Sequence, residues 1–187
     1  MIDNRVINME RTFTYLKPDA IEKKLVGKII DRMEKEGFKI IRLKKGMISK
    51  ELAMQLYPDS EEQLVGMGQK TLKAMTDAGK SEKVMEIFNT EDPRSIGMVL
   101  NQWNRSYATS TEIIAMVLES DNAVAKLRSI IGKTDPAIAD KGTIRGDFSD
   151  DSIMNGNMEK RACKNLIHAS DGDRAEVEIG LFEKNFF

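Results

Sequence analysis

Hydrophobic positions along this chain recur with two periods. Residues 11–16 alternate threonine with aromatic or apolar side chains, the period of a half-buried strand, and Lys17-Pro18-Asp19 ends the run. Across 22–36 the side chains of Val26, Ile29, Ile30 and Met33 keep one helical face, and Gly37 stands where a left-handed C-cap is needed. A second strand is predicted over 38–48. Ser49 is placed to cap a helix carrying Leu52, Ala53 and Leu56, which Tyr57-Pro58-Asp59 terminates. Residues 66–110 are charged, methionine-rich and helically spaced, with Asp92-Pro93 as a start signal, and read as a mostly helical insertion.

The continuous apolar run 113–119 predicts a central buried strand, and Asp121 is expected to cap a helix over 122–131 that Gly132 closes. Residues 134–148 hold Pro136, Gly142 and Gly146 with almost no periodicity, the mark of a long ordered loop with a function. The polar stretch 149–163 reads as a second insertion. A last strand, 166–169, leads through Ser170-Asp171-Gly172-Asp173 to a helix with Ala175, Ile179 and Phe182 on one face. The order βαβ-αβαβα predicts an α+β sandwich with helices on an antiparallel sheet.

At 187 residues the chain has the length of one domain with insertions. Lysine and arginine total 29 against 30 acidic residues, so no whole-chain field attracts nucleic acid or an anionic membrane, although a local basic pocket remains open. The longest apolar stretch, 113–118, is too short to span a bilayer and the first residues lack a signal-peptide core, which predicts a soluble, cytoplasmic protein. One cysteine, Cys163, and one histidine exclude an internal disulfide and a Cys/His zinc site.

Gly132-Lys133-Thr134 imitates the end of a phosphate-binding P-loop, but Leu127 occupies the required glycine position and a helix precedes where a strand is needed. Arg145-Gly146-Asp147 matches a receptor-binding tripeptide only by coincidence, because nothing marks the chain for secretion. His168 confines histidine chemistry to one position. A lone histidine is ordinarily structural, yet on a strand Ser170 shares its face, and Glu178 lies one helix away, where it can fold back on the ring. Lys17, Arg128 and Arg145, each an ordinary surface cation when taken alone, lie where side chains can converge on phosphates, and Thr134 and Asn165 add neutral donors.

These residues carry a resemblance. Arg11-Thr-Phe-Thr-Tyr-Leu-Lys17-Pro18-Asp19, Gly142-Thr-Ile-Arg145-Gly-Asp-Phe148 and Asn165-Leu-Ile-His168-Ala-Ser170-Asp171 through Glu178 resemble a nucleoside diphosphate kinase of the long-insert, archaeal-like branch over nearly the whole chain. The resemblance implies a ferredoxin-like α/β sandwich, a four-stranded antiparallel sheet with helices on its faces and two insertions decorating its edges. It implies that a nucleoside triphosphate phosphorylates His168 and that the phosphohistidine then phosphorylates a nucleoside diphosphate. Ser170 and Glu178 would hold the histidine, while Lys17, Tyr57, Arg128, Thr134, Arg145 and Asn165 would line the phosphate and sugar subsite. The base clamp of many relatives would fall at Leu64 or Val65, so an apolar, loose base contact is expected. Mg²⁺ would enter with the nucleotide, held mainly by phosphates and water. The resemblance further implies a homo-hexamer made of dimers paired through the 38–48 strand, and it leaves residues 1–8 as an N-terminal extension. The alternative is a nucleotide-binding regulatory or scaffold protein of this fold with little turnover, and a phosphohistidine distinguishes the two. A nucleic-acid-binding protein is disfavoured by the charge balance and an aromatic content of 6%.

Overall fold

The computed structural model describes residues 9–187, so the expected extension 1–8 lies outside the described residues. In chain order the elements are β1 (Met9–Leu16), α1 (Pro18–Glu22), α2 (Val26–Lys35), β2 (Lys39–Gly46), α3 (Lys50–Leu56), α4 (Glu61–Asp77) and α5 (Val84–Phe88). They continue with α6 (Pro93–Ala108), β3 (Ile113–Asp121), α7 (Ala123–Ile131), α8 (Ile144–Phe148), α9 (Ile153–Met158), β4 (Ile167–Ala169) and α10 (Arg174–Asn185). The sheet is four-stranded in the order β2-β3-β1-β4, and every pairing is antiparallel.

The apolar run of β3 is continuous because both of its faces are covered. Ile114, Met116 and Leu118 join residues of α2 and α7 in one cluster, and Ile113, Ala115 and Val117 join residues of α3 and α10 in another. β1 is sandwiched in the same way, so Thr12 and Thr14 are as buried as Phe13 and Tyr15. The half-buried strand expected from their alternation is therefore a fully buried one.

Local signals explain most boundaries. Gly37 adopts φ +82° after α2, the hydroxyl of Ser49 accepts from the Leu52 N–H, and the carboxylate of Asp92 accepts from the Ser95 N–H. Two expectations are corrected. The helix expected over 22–36 begins only at Val26, as α2, after a turn in which Lys24 takes φ +57°, and the separate short helix α1 precedes that turn. Asp121 does not cap α7, because its carboxylate is drawn to Lys126, and Glu10 of β1 accepts from the Val124 N–H instead. The stretch 134–148 is an ordered connection in which Thr143 caps the short helix α8.

Helices α4 and α6 cross closely enough that a Cβ at Gly68 would lie 1.8 Å from the Pro93 carbonyl oxygen, and one at Gly97 would lie 2.1 Å from that of Leu64. Met75, Val84, Ile87, Phe88 and Ile96 form a separate small core here, and Met154 of α9 packs against it. The two stretches read as insertions thus meet each other beside the sheet.

Candidate active site

Antiparallel pairing of β1 with β4 sets His168 directly opposite Tyr15. The imidazole stacks on the Tyr15 ring, 5.2 Å between centroids and 22° from parallel, and the Tyr57 ring meets it edge-on at 6.2 Å. Glu178 comes up from α10 beneath the ring, its Oε2 lying 2.8 Å from Nε2 of His168. Ser170 donates its hydroxyl to the same carboxylate oxygen, and Arg174, one helical turn earlier, donates to Oε1 at 3.1 Å. Burial pushes the Glu178 pKa up, but the partners His168, Ser170 and Arg174 outweigh it and hold the carboxyl below its usual value.

A second set of side chains surrounds the turn before β4. Leu166 takes φ +69°, an unusual conformation for leucine, fixed because its N–H donates to Asp19 and its carbonyl accepts from the Lys17 N–H. The turn presents Asn165, whose Oδ1 accepts from Lys17 Nζ at 2.7 Å and whose amide donates to the Thr134 carbonyl. Arg145 of α8 donates to the backbone carbonyls of Asn165, Gly132 and Ile167. Burial lowers the Lys17 pKa to about 8, with the Arg145 charge acting in the same direction, and burial lowers Arg145 to about 10.

Lys17, Tyr57, Arg128, Thr134, Arg145, Asn165 and His168 all line one cleft of about 530 Å³. Glu178 contacts the histidine from behind the cleft, and Ser170 reaches it through that carboxylate. Leu64 is not brought there. It is fully buried under α6, where the α4–α6 crossing holds it, so a base contact at Leu64 is corrected.

A family model described as "Nucleoside diphosphate kinase" matches residues 10–88 and 100–186. The chain belongs to the nucleoside diphosphate kinase family. It is 43% identical to a nucleoside diphosphate kinase of Pyrobaculum aerophilum over 172 residues, covering 91% of this chain and 93% of that one. A crystal structure of an NDP kinase from the same organism superposes with a TM-score of 0.88 at 40% identity, covering 93% of this chain and 95% of that one. A Halobacterium salinarum nucleoside diphosphate kinase in complex with CDP gives a TM-score of 0.58 at 28% identity, covering 92% and 86%. The chain is therefore an enzyme of phosphoryl transfer between nucleotides.

Several side chains of this nucleoside diphosphate kinase's cleft were not expected. Leu100 and Trp103 of α6, Thr71 of α4, Asn157 of α9 and Arg161 line it. The stretches read as insertions therefore supply cleft wall. Trp103 was legible as the one tryptophan of a helical stretch, but nothing local said that α6 turns that side inward. Arg174 had a signal, its i,i+4 spacing to Glu178. Tyr15 had none, since its meeting with His168 is a matter of strand register. Cys163 also lines the cleft, and burial pushes its thiol up to about 12, which leaves it a poor nucleophile at neutral pH.

Proposed function

We propose that this kinase moves the γ-phosphoryl group of a nucleoside triphosphate, chiefly ATP, to nucleoside diphosphates through a phosphohistidine at His168. The observation that carries the reading is the pairing of Nε2 with a buried carboxylate kept ionised by its neighbours. That carboxylate favours the tautomer with hydrogen on Nε2, so the lone pair resides on Nδ1 and attacks phosphorus without a separate base. The Nδ1–P bond forms as the bond from phosphorus to the bridging oxygen breaks, and the nucleoside diphosphate leaves. In the second half-reaction a terminal oxygen of another diphosphate attacks the phosphohistidine, and the N–P bond breaks. Glu178 offsets the positive charge on the ring in both directions.

Lys17, Arg128 and Arg145 supply positive charge for the phosphoryl oxygens, and Tyr57, Thr134 and Asn165 supply uncharged donors for phosphate and sugar. The base is read as packing on Leu100 and Trp103 rather than on Leu64. The donor set suits Mg²⁺ carried by the nucleotide, because Asp171 is the one carboxylate on the cleft among the described residues and would hold the ion's water shell. When bound, the ion neutralises phosphate charge.

The same reading includes a homo-hexamer built from dimers. Its support is that β2 is an edge strand with Ile41 and Leu43 exposed, an open edge that a second copy would cover. No helix among the described residues is long and apolar enough to cross a membrane, and a cytoplasmic location completes the proposal.

Incubation with γ-labelled ATP and Mg²⁺ tests the function. The expected product is an acid-labile, base-stable phosphoenzyme that nucleoside diphosphates discharge. A folded His168→Ala variant should neither label nor exchange, and transfer by that variant near the original rate overturns the reading.

A further inference from the structure

Tyr15 has no part in the roles above, yet it is fully buried against the reacting histidine. Its hydroxyl is hydrogen-bonded to the hydroxyl of Tyr57, and among the described residues that is the only hydrogen-bond partner the Tyr15 phenol has. Tyr57 differs in one respect: it also lines the cleft. The main chain of Tyr57 is clamped from α6, for its carbonyl accepts from Arg105 and from the Asn101 amide, which also reaches the Pro58 carbonyl.

Two phenols in contact share one hydrogen between their oxygens, so one is donor and the other acceptor. If Tyr57 donated, the hydrogen of Tyr15 would be left without an acceptor in the dry interior, which carries the full desolvation penalty. If Tyr15 donates, its buried hydrogen has an acceptor and the hydrogen of Tyr57 is released to point elsewhere. The side open to it is the cleft. Accepting a hydrogen bond on its oxygen also makes a hydroxyl a stronger donor.

We propose that Tyr15 is a positioning residue for phosphoryl transfer. Acting through Tyr57, it turns that hydroxyl's hydrogen into the cleft, where it donates to an oxygen of the migrating phosphoryl group. The inference rests on the phosphohistidine reading. Burial raises Tyr57 to about 12 and Tyr15 well above its ordinary value, so both phenols keep their hydrogens at neutral pH. The stacked Tyr15 ring has a separate effect, limiting the tilt of the imidazole, which a phenylalanine would reproduce.

A double-mutant cycle with Tyr15→Phe and Tyr57→Phe tests the relay, read as the single-turnover rate of His168 phosphorylation beside kcat, KM and the unfolding midpoint. Tyr15→Phe is expected to lower the single-turnover rate on the order of tenfold, with a much smaller change in KM. In the Tyr57→Phe background the same change is expected to cost no further rate, because the hydroxyl through which Tyr15 acts is gone. Rate losses that simply add, or a Tyr15→Phe enzyme with an altered midpoint and an unaltered rate, overturn the inference. Tyr57→Phe reads it independently of how Tyr15→Phe folds: an unchanged rate there also overturns it. A wild type that never phosphorylates His168 overturns the functional reading together with this one, whereas a phosphorylated wild type with an indifferent Tyr15→Phe overturns this one alone.

Discussion

Oε2 of Glu178 lies 2.8 Å from Nε2 of His168 and accepts the Ser170 hydroxyl as well, so one buried oxygen is shared by Ser170 and the only histidine in the chain. Glu178→Gln keeps the shape and removes the charge. The expected result is a fall in kcat of on the order of a hundredfold, since the charge is of most use when the ring becomes positive in the transition state. Single-turnover labelling of His168 checks it, and an unchanged rate would exclude an electrostatic role for the carboxylate.

Lys17 and Arg145 are expected to act in the chemical step. Lys17→Ala and Arg145→Ala should each lower kcat and kcat/KM together by on the order of a hundredfold, the pattern of a contact made mainly in the transition state. Arg145→Ala should also destabilise the fold, because three backbone carbonyls lose their donor. Steady-state kinetics and urea unfolding on the same preparations separate the two effects.

The lowered Lys17 pKa gives a pH dependence with a definite sign. Lys17 is charged below about 8 and neutral above it, so kcat/KM should decline as pH rises through that value in the free enzyme. Lys17→Arg should retain whatever activity it has across the same range, since guanidinium keeps its charge. An alkaline limb that persists unchanged in Lys17→Arg would assign the titration to another group.

Leu64 and Trp103 should answer differently to truncation. Leu64 is fully buried beneath α6, so Leu64→Ala is expected to cost about 2–5 kcal/mol of stability with little change in KM. Trp103→Ala should raise KM for nucleotides while largely sparing kcat, as a base contact equal in ground and transition states requires. Thermal unfolding and nucleotide titration distinguish the pair.

Asp151 closes the 149–163 stretch on itself. It pairs with both terminal nitrogens of Arg161 and accepts from the Lys164 N–H. Burial raises its pKa, but these donors outweigh it and bring it to about 2. A carboxyl whose folded pKa lies below its unfolded value of 3.8 stabilises above that value and loses the contribution as pH falls through about 2. The contribution is on the order of 2 kcal/mol, and Asp151→Asn should flatten the acid limb of the stability curve accordingly. Acid titration followed by circular dichroism measures it.

Helix caps, glycine turns and the period of each buried face depend on residues within a few positions of one another, and these were legible. Ser49, Asp92 and Gly37 act where their local chemistry places them. The cap of α7 was misread because its acceptor, Glu10, comes from a strand distant in sequence. The resemblance puts Leu64 at the base contact, and no local signal shows that α6 lies over it, which two glycines allow at close range.

The sequence by itself determined the antiparallel α+β sandwich, the single histidine with a hydroxyl two residues on, and the cations suited to phosphate. It did so because periodicity, capping and charge are properties of neighbouring residues. Only the tertiary structure decided that Tyr15 faces His168, that Trp103 and Asn157 share the cleft with Lys17, and that Arg145 reaches three separate carbonyls. Those meetings depend on strand register and on how closely helices approach, which are settled by packing among residues far apart in the chain.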